Sequence, residues 1–263
     1  MSPTIMTVIG FTIIFAATAL GSAMVWFFKG EISHKVNTVF LGFASGIMIA
    51  ASVWSLILPA IEGAAAYGRL SFVPAAAGFL LGGLFLVLLD HVVPHIHKGT
   101  GDEEGPRIAL KKSTKLFLAV TIHNIPEGLA VGFAFGMAAS SGEYGAYVSA
   151  LALALGMAIQ NFPEGAAVAL PMKTVTGSRR NAFLYGAGSG AVEPVSALLG
   201  YFLASSIQAL QPWLLSFAAG AMIFVVAEDL IPDAHLEDHP HLGTWGIMLG
   251  FAVMMVLDVV FSF

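Results

Sequence analysis

Long apolar runs with only brief polar interruptions dominate the chain. They fall at about residues 5–28, 37–60, 72–95, 114–137, 145–170, 182–205, 213–233 and 244–262. A bilayer-crossing helix needs about 20 mostly apolar residues, so each run is long enough to span. The pattern predicts an all-α polytopic membrane protein: eight transmembrane helices forming one domain over residues 1–263. Short separators rich in Gly, Ser, Pro or charge join the runs. The runs are too long and continuous for the alternating segments of about ten residues that build a membrane barrel, so strands are not expected. The first run lacks a basic flank and a clear small-residue cleavage site, and it reads as a retained helix rather than a signal peptide.

Composition agrees with the pattern. The chain is 57% hydrophobic and 10% charged, with a mean hydropathy of +0.86. Soluble domains carry about 25% charged residues, which excludes a water-solvated enzyme. The net charge of −5 excludes a basic nucleic-acid surface, and the absence of cysteine excludes disulfides and thiolate metal sites. Basic residues set the orientation. Lys29, Lys35, Lys98, Arg107, Lys111, Lys112, Lys115, Lys173, Arg179 and Arg180 lie in or beside the first, third and fifth loops; Arg69 alone does not. The positive-inside rule makes that side cytoplasmic and, with eight helices, puts both termini outside.

Candidate chemistry lies within the spans. Glu127 sits in TIHNIPEGLAVG (121–132), Glu164 in IQNFPEGAAVAL (159–170) and Glu193 in SGAVEPVSAL (189–198). Placing an Asp at the bilayer centre costs about 2.5–3.5 kcal/mol on insertion scales, so intramembrane acids mark functional sites. No Lys or Arg stands at their depth, and a bound cation is their natural countercharge.

The first two segments are an internal repeat. Asn124, Pro126, Glu127, Gly128 and Ala130-Val131 match Asn161, Pro163, Glu164, Gly165 and Ala167-Val168. Consecutive spans run antiparallel, so the motif is presented twice in inverted orientation, as at transporter midplane sites. His123 and Glu127 are four apart and share a helical face, as do Gln160 and Glu164. Pro126 and Pro163 should kink their helices, and the glycines that follow Glu127 and Glu164 permit close helix approach. Imidazole with carboxylates favours zinc and its first-row neighbours over magnesium or calcium. Met48, in GIMIAAS (46–52), offers a thioether, although taken alone the position reads as lipid-facing or core packing rather than as a ligand.

On these residues the chain resembles the ZIP (Zrt/Irt-like protein) family of divalent metal transporters, in the bacterial branch whose fourth helix reads HNxPEG and whose fifth carries PEG. Further matching pieces are LGFASGIMIAASVWSLILPAIE (41–62), EPVSAL (193–198) and AGAMIFVVAEDLIPDAH (219–235). The resemblance implies the ZIP fold with inverted repeats and a binuclear-type site. One metal position would use Met48, His123, Glu127, Gln160 and Glu164, and the other Asn124, Glu127, Asn161, Glu164 and Glu193. It also implies a homodimer in a bacterial inner membrane. Zn2+, and in relatives Cd2+, Fe2+, Mn2+ or Co2+, would be moved into the cytoplasm by elevator-type displacement of a four-helix unit.

Asn161 departs from that branch, where the position is commonly Asp. Three carboxylates then leave one charge of excess against one divalent ion, or one of deficit against two. Desolvated imbalance is costly, so single occupancy or a weak second ion is expected.

Ser55, Glu62 and Asp258 resemble the family's outer entrance, where carboxylates would concentrate cations; solvated helix-end acids would look the same. On the cytoplasmic side Asp90, His95, Glu228, Asp229 and His235 suggest an exit path. His91, His97, His239 and His241 fit either that path or solvated loops, and Asp102-Glu103-Glu104 reads as a solvated turn. An intramembrane zinc-dependent hydrolase is the rival class. It would want an HExxH pair, which the chain lacks.

Overall fold

Among the described residues, seven segments form helices long and apolar enough to cross a membrane, at Pro3–Trp26, His34–Gly63, Phe72–Val92, Lys112–Ser141, Tyr144–Thr176, Gln208–Asp233 and His241–Phe261. The computed structural model describes residues 1–28, 33–96, 103–234 and 240–261. In chain order its helices are α1 (Pro3–Ser22), α2 (His34–Ala51), α3 (Leu58–Gly63), α4 (Phe72–Val92), α5 (Lys112–Ser141), α6 (Tyr144–Thr176), α7 (Arg179–Gly190), α8 (Val192–Ser206), α9 (Gln211–Val225), α10 (Ile231–Asp233) and α11 (Pro240–Phe261).

The remaining expected span, 182–205, is broken at Ala191 into α7 and α8, of 12 and 15 residues. Pro194 explains the break. It cannot donate to the Gly190 carbonyl, so it is tolerated only in the first turn of a new helix. Glu193 therefore falls in that first turn, where the helix dipole favours a carboxylate.

Two more prolines shape the second and seventh spans. Pro59 and Pro232 stand in the first turns of α3 and α10. Each follows a π-helical stretch, Ser52–Ile57 after α2 and Val226–Leu230 after α9. The wider π turn gives room for a ring that would otherwise crowd the carbonyl four residues back. By contrast, α5 and α6 continue through Pro126 and Pro163.

Both long helices outrun the apolar patterns that predict them. They stop at Gly142 (φ 71°) and Gly177 (φ 67°), left-handed positions that glycine adopts without steric cost. The third span ends at Val92 rather than 95, because Pro94 forces Val93 into an extended conformation. A short antiparallel ladder follows, pairing His95 with Glu104 and Ile96 with Glu103. Where a solvated turn was expected, Glu103-Glu104 forms a two-residue strand, with both residues exposed as expected. Lys115 Nζ donates to Glu103 Oε2 at 2.6 Å, which pins the ladder to α5.

The helices associate in four intimate pairs: α1 with α6, α5 with α8, α2 with α11, and α4 with α9. Small residues allow the approach. A Cβ on Gly128, Gly132 or Gly136 of α5 would strike the backbone of α8. One on Gly46 or Gly250 would strike α11 or α2. α5 and α6 also pack together, so α1, α5, α6 and the α7–α8 pair form a four-helix group. The outer faces of α4 and α8, including Leu80, Leu84, Leu88, Val195, Leu199 and Phe202, are exposed and apolar, as lipid contact requires.

Candidate metal centre

The repeated motifs meet where α5 and α6 cross the middle of the group. Their polar side chains have no water to turn to: Asn124, Glu127, Gln160, Asn161 and Glu164 are all buried, and so is Glu193 on α8. Glu127 lies within hydrogen-bonding reach of Glu164 and in electrostatic contact with Glu193. The three acids singled out in the sequence are thus one cluster. Gln160 Nε2 donates to Glu127 Oε2 at 2.8 Å and also to Asn161 Oδ1. Asn161 Nδ2 donates to Glu193 Oε2 at 2.7 Å and to the Ile14 carbonyl at 3.3 Å.

Other buried atoms in the cluster lack a hydrogen-bond partner. Among the described residues these include both polar atoms of the Asn124 amide and Oε1 of Gln160. Buried polar groups are nearly always paired, so unpaired carbonyl oxygens beside carboxylates could hold a cation. His123 is only partly buried and turns toward Asp229, with Nε2 3.2 Å from Oδ2. Met48 is fully buried in the apolar core, at the matching level of α2.

Two cavities flank this level. The inner one is lined by Leu41, Ile96, His123, Glu164, Asp229 and Asp233, with apolar residues of α5 and α6. The outer one, of about 370 Å³, is lined by Ser55, Glu62, Met137, Ser149, Leu153 and Asp258 among others. Along α2, α5 and α6 the outer lining lies on one side of the cluster and the inner lining on the other, and the turns between carry Met48, Asn124, Glu127, Gln160 and Asn161. The cluster therefore lies between the two cavities.

Ser55, Glu62 and Asp258, expected at an entrance, do share one cavity, and Ser55 Oγ donates to Asp258 Oδ1 at 2.8 Å. The expected exit residues divide. Asp229 lines the inner cavity, whereas Glu228 is exposed. Asp90 Oδ1 lies 3.5 Å from His95 Nε2. His235, His97 and His239 lie outside the described residues. Glu104, read from the sequence as a solvated turn, joins Asp90 and His95, with ligand atoms all within 4.8 Å of one another.

Thr18 was also missed. Its hydroxyl donates to Glu193 Oε1 at 2.7 Å. Thr7 and Thr12 stand in the same span, so the sequence alone does not single it out.

The family model described as ZIP Zinc transporter matches residues 107–258. The chain is 38% identical to zinc transporter ZIP11 of Xenopus tropicalis, with 98% of each chain covered. It is 38% identical to zinc transporter GufA of Myxococcus xanthus, over 92% of this chain and 94% of that one. With zinc transporter ZIPB of Bordetella bronchiseptica the identity is 40%, over 93% of this chain and 77% of the other. A matched family model that includes both PEG-bearing helices, and relatives aligned nearly end to end, place this multi-pass membrane protein in the ZIP zinc transporter family.

Proposed function

We propose that the protein carries divalent transition-metal cations, zinc first, across a bacterial inner membrane into the cytoplasm. The observation that carries this reading is the buried cluster of Glu127, Glu164 and Glu193 with unpaired Asn124 and Gln160 oxygens, midway between two cavities. Carboxylate, imidazole and amide oxygen suit zinc and its neighbours, and Cd2+, Fe2+, Mn2+ and Co2+ are the other cations to test. The relatives named above are zinc transporters. A hydrolase would need a metal held with an open water position and a general base, and the chain offers no HExxH for it.

The side chains divide the work by position. Glu62 and Asp258 draw cations to the outer cavity. His123, Glu127, Gln160 and Glu164, with Asn124 and the Met48 thioether, replace the ion's water shell. His123 and Glu164 also line the inner cavity, next to Asp229 and Asp233, so the ion leaves from ligands that already face the exit. The basic loops put that cavity on the cytoplasmic side, with eight spans, the α7–α8 pair serving as the sixth, and both termini outside. The group of α1, α5, α6 and α7–α8 holds all these ligands except Met48, and its movement as one body against α2, α4, α9 and α11 would expose them alternately. The homodimer implied by the family resemblance would form on that second group.

Uptake of radiolabelled zinc, cadmium, iron, manganese and cobalt into liposomes holding purified protein tests the proposal. Concentrative or saturable zinc uptake above empty liposomes is expected. Absence of uptake for all five metals would overturn it.

A further inference from the structure

The second and seventh spans repeat each other, as the fourth and fifth do. LGFASGIMI (41–49) matches LSFAAGAMI (215–223), and SLILP (55–59) matches DLIP (229–232). The packing follows the match. A Cβ on Gly46 would strike the Ile247 carbonyl oxygen on α11, and one on Gly220 would strike the Phe79 carbonyl oxygen on α4. Ser55 lines the outer cavity and Asp229 the inner one. Both π-helical stretches begin at the same place in the repeat, at Ser52 in one copy and Val226 in the other.

Ser52 and Val226 are both buried. Val226 shows that this turn forms with no hydroxyl. Ser52 has one, and among the described residues its Oγ has no hydrogen-bond partner. Ser22, Ser45, Ser189 and Ser216 are as fully buried, yet each donates to a carbonyl of its own helix at 2.7 or 2.8 Å. A buried hydroxyl with nothing to bond weakens a fold, so neither packing nor the π turn accounts for Ser52.

Its position supplies an account. On the second span, α5 and α6, the lining of the outer cavity ends at Trp54, Ala134 and Leu153. The level of the cluster begins at Met48, Glu127 and Gln160. In the gap between, residues 49–53, 128–133 and 154–159, Ser52 carries the one side-chain oxygen. Buried apolar side chains such as Val131 and Met157 fill the rest. A cation crossing there gives up water to walls that offer nothing in return, except at Ser52.

We propose that Ser52 Oγ is an oxygen ligand to the divalent cation on its way from the outer cavity to the centre. This rests on the transport reading above and adds a residue to its route. A hydroxyl lone pair replaces a lost water without adding charge, so the ion is held briefly and passed on. Ser52 stands one turn beyond Met48. Displacement of α5 and α6 along the second span by a turn, about 5.4 Å, exchanges the thioether for the hydroxyl among the ion's neighbours. The mirror position on the inner side needs no such oxygen, because His123 and Asp229 line the cavity there.

The test uses purified full-length protein in liposomes, with zinc and cadmium uptake and thermal unfolding measured on each variant. Ser52→Ala removes an unpaired hydroxyl. It should melt at the wild-type temperature or higher, yet need at least several-fold more zinc for half-maximal uptake. The chain has no cysteine, so Ser52→Cys adds a single soft ligand. It should shift preference toward cadmium over zinc at least several-fold. Ser45→Ala, which removes a paired hydroxyl from the same span, should keep the wild-type half-saturation and preference. Wild-type zinc half-saturation in Ser52→Ala, a lowered melting temperature in that variant, no cadmium shift in Ser52→Cys, or an equal shift in Ser45→Ala would each overturn the role of Ser52 while leaving transport intact. Absence of uptake of either metal by the wild type would instead strike the transport reading itself, and Ser52 with it.

Discussion

His123 on α5 and Asp229 in the π-helical turn after α9 approach to 3.2 Å between Nε2 and Oδ2, across the boundary between the two helix groups. A carboxylate on one ring nitrogen fixes the orientation of an imidazole and raises the basicity of the other nitrogen. Asp229 also lines the inner cavity, together with Glu164 and Asp233. Losing such a partner typically costs 10–100-fold in metal affinity or activity (roughly). Asp229→Asn should weaken zinc binding by about that range while the protein still folds. Equilibrium titration of the purified variant checks it, and an unchanged affinity would show that the pair has no bearing on the ion.

Glu164 contacts Glu127 inside the cluster and also faces the inner cavity. No neighbour can take over both positions. Glu164→Ala should abolish uptake, a loss of at least about 100-fold, with normal insertion into the membrane. Near-normal zinc uptake into liposomes by this variant would refute the assignment of the centre.

The acids, the paired motifs and the span pattern were legible because burying charge in lipid is costly enough to make each exception informative. Glu127, Glu164 and Glu193 do converge. The break at Ala191 was not read, although Pro194 signals it, because the hydropathy of 182–205 runs on across it. Thr18 was missed for a different reason. A single hydroxyl can satisfy itself on its own helix, as Thr12 does with the Val8 carbonyl. Only the placement of α1 against α8 distinguishes Thr18 from Thr12. The ladder at His95–Ile96 was equally hidden, since two residues carry no periodicity.

Acidification should weaken zinc binding. The ion needs a neutral His123 and ionised Glu127 and Glu164, so each proton taken up competes with it. From about pH 8 to about pH 5, where an imidazole changes charge, the apparent dissociation constant should rise steadily. Isothermal titrations across that range check the sign. Tighter binding at the acidic end would be incompatible with these ligands.

The contact of α1 with α6 depends on Gly165, where a Cβ would collide with the Thr18 carbonyl oxygen. Backbone cannot swing aside as a side chain can. Gly165→Val should therefore destabilise the protein by about 1–3 kcal/mol, the usual cost of overpacking. Gly145, at the start of the same helix, has nothing within 4 Å of its would-be Cβ. Gly145→Ala should leave the unfolding temperature in detergent unchanged or slightly higher. Equal melting of the two variants would count against the close approach.

At the outer cavity Ser55 donates to Asp258, and Glu62 lines the same space. Asp258→Asn keeps the shape and leaves an oxygen to accept from Ser55, so the packing between α11 and the π-helical turn after α2 should survive. What it removes is charge. Acids in a concave, low-dielectric mouth raise the local concentration of cations, and steering of this kind changes association rates by tenfold or more (roughly). The variant should need roughly tenfold more zinc for half-maximal uptake, with the maximal rate little changed, because the ligands deeper in the protein are untouched. Salt separates this from a local structural fault. At about 1 M ionic strength the screening length falls to about 3 Å, and wild type and Asp258→Asn should converge. A deficit that persists undiminished at high salt would mean that Asp258 acts by contact with the ion or by packing, not by its field.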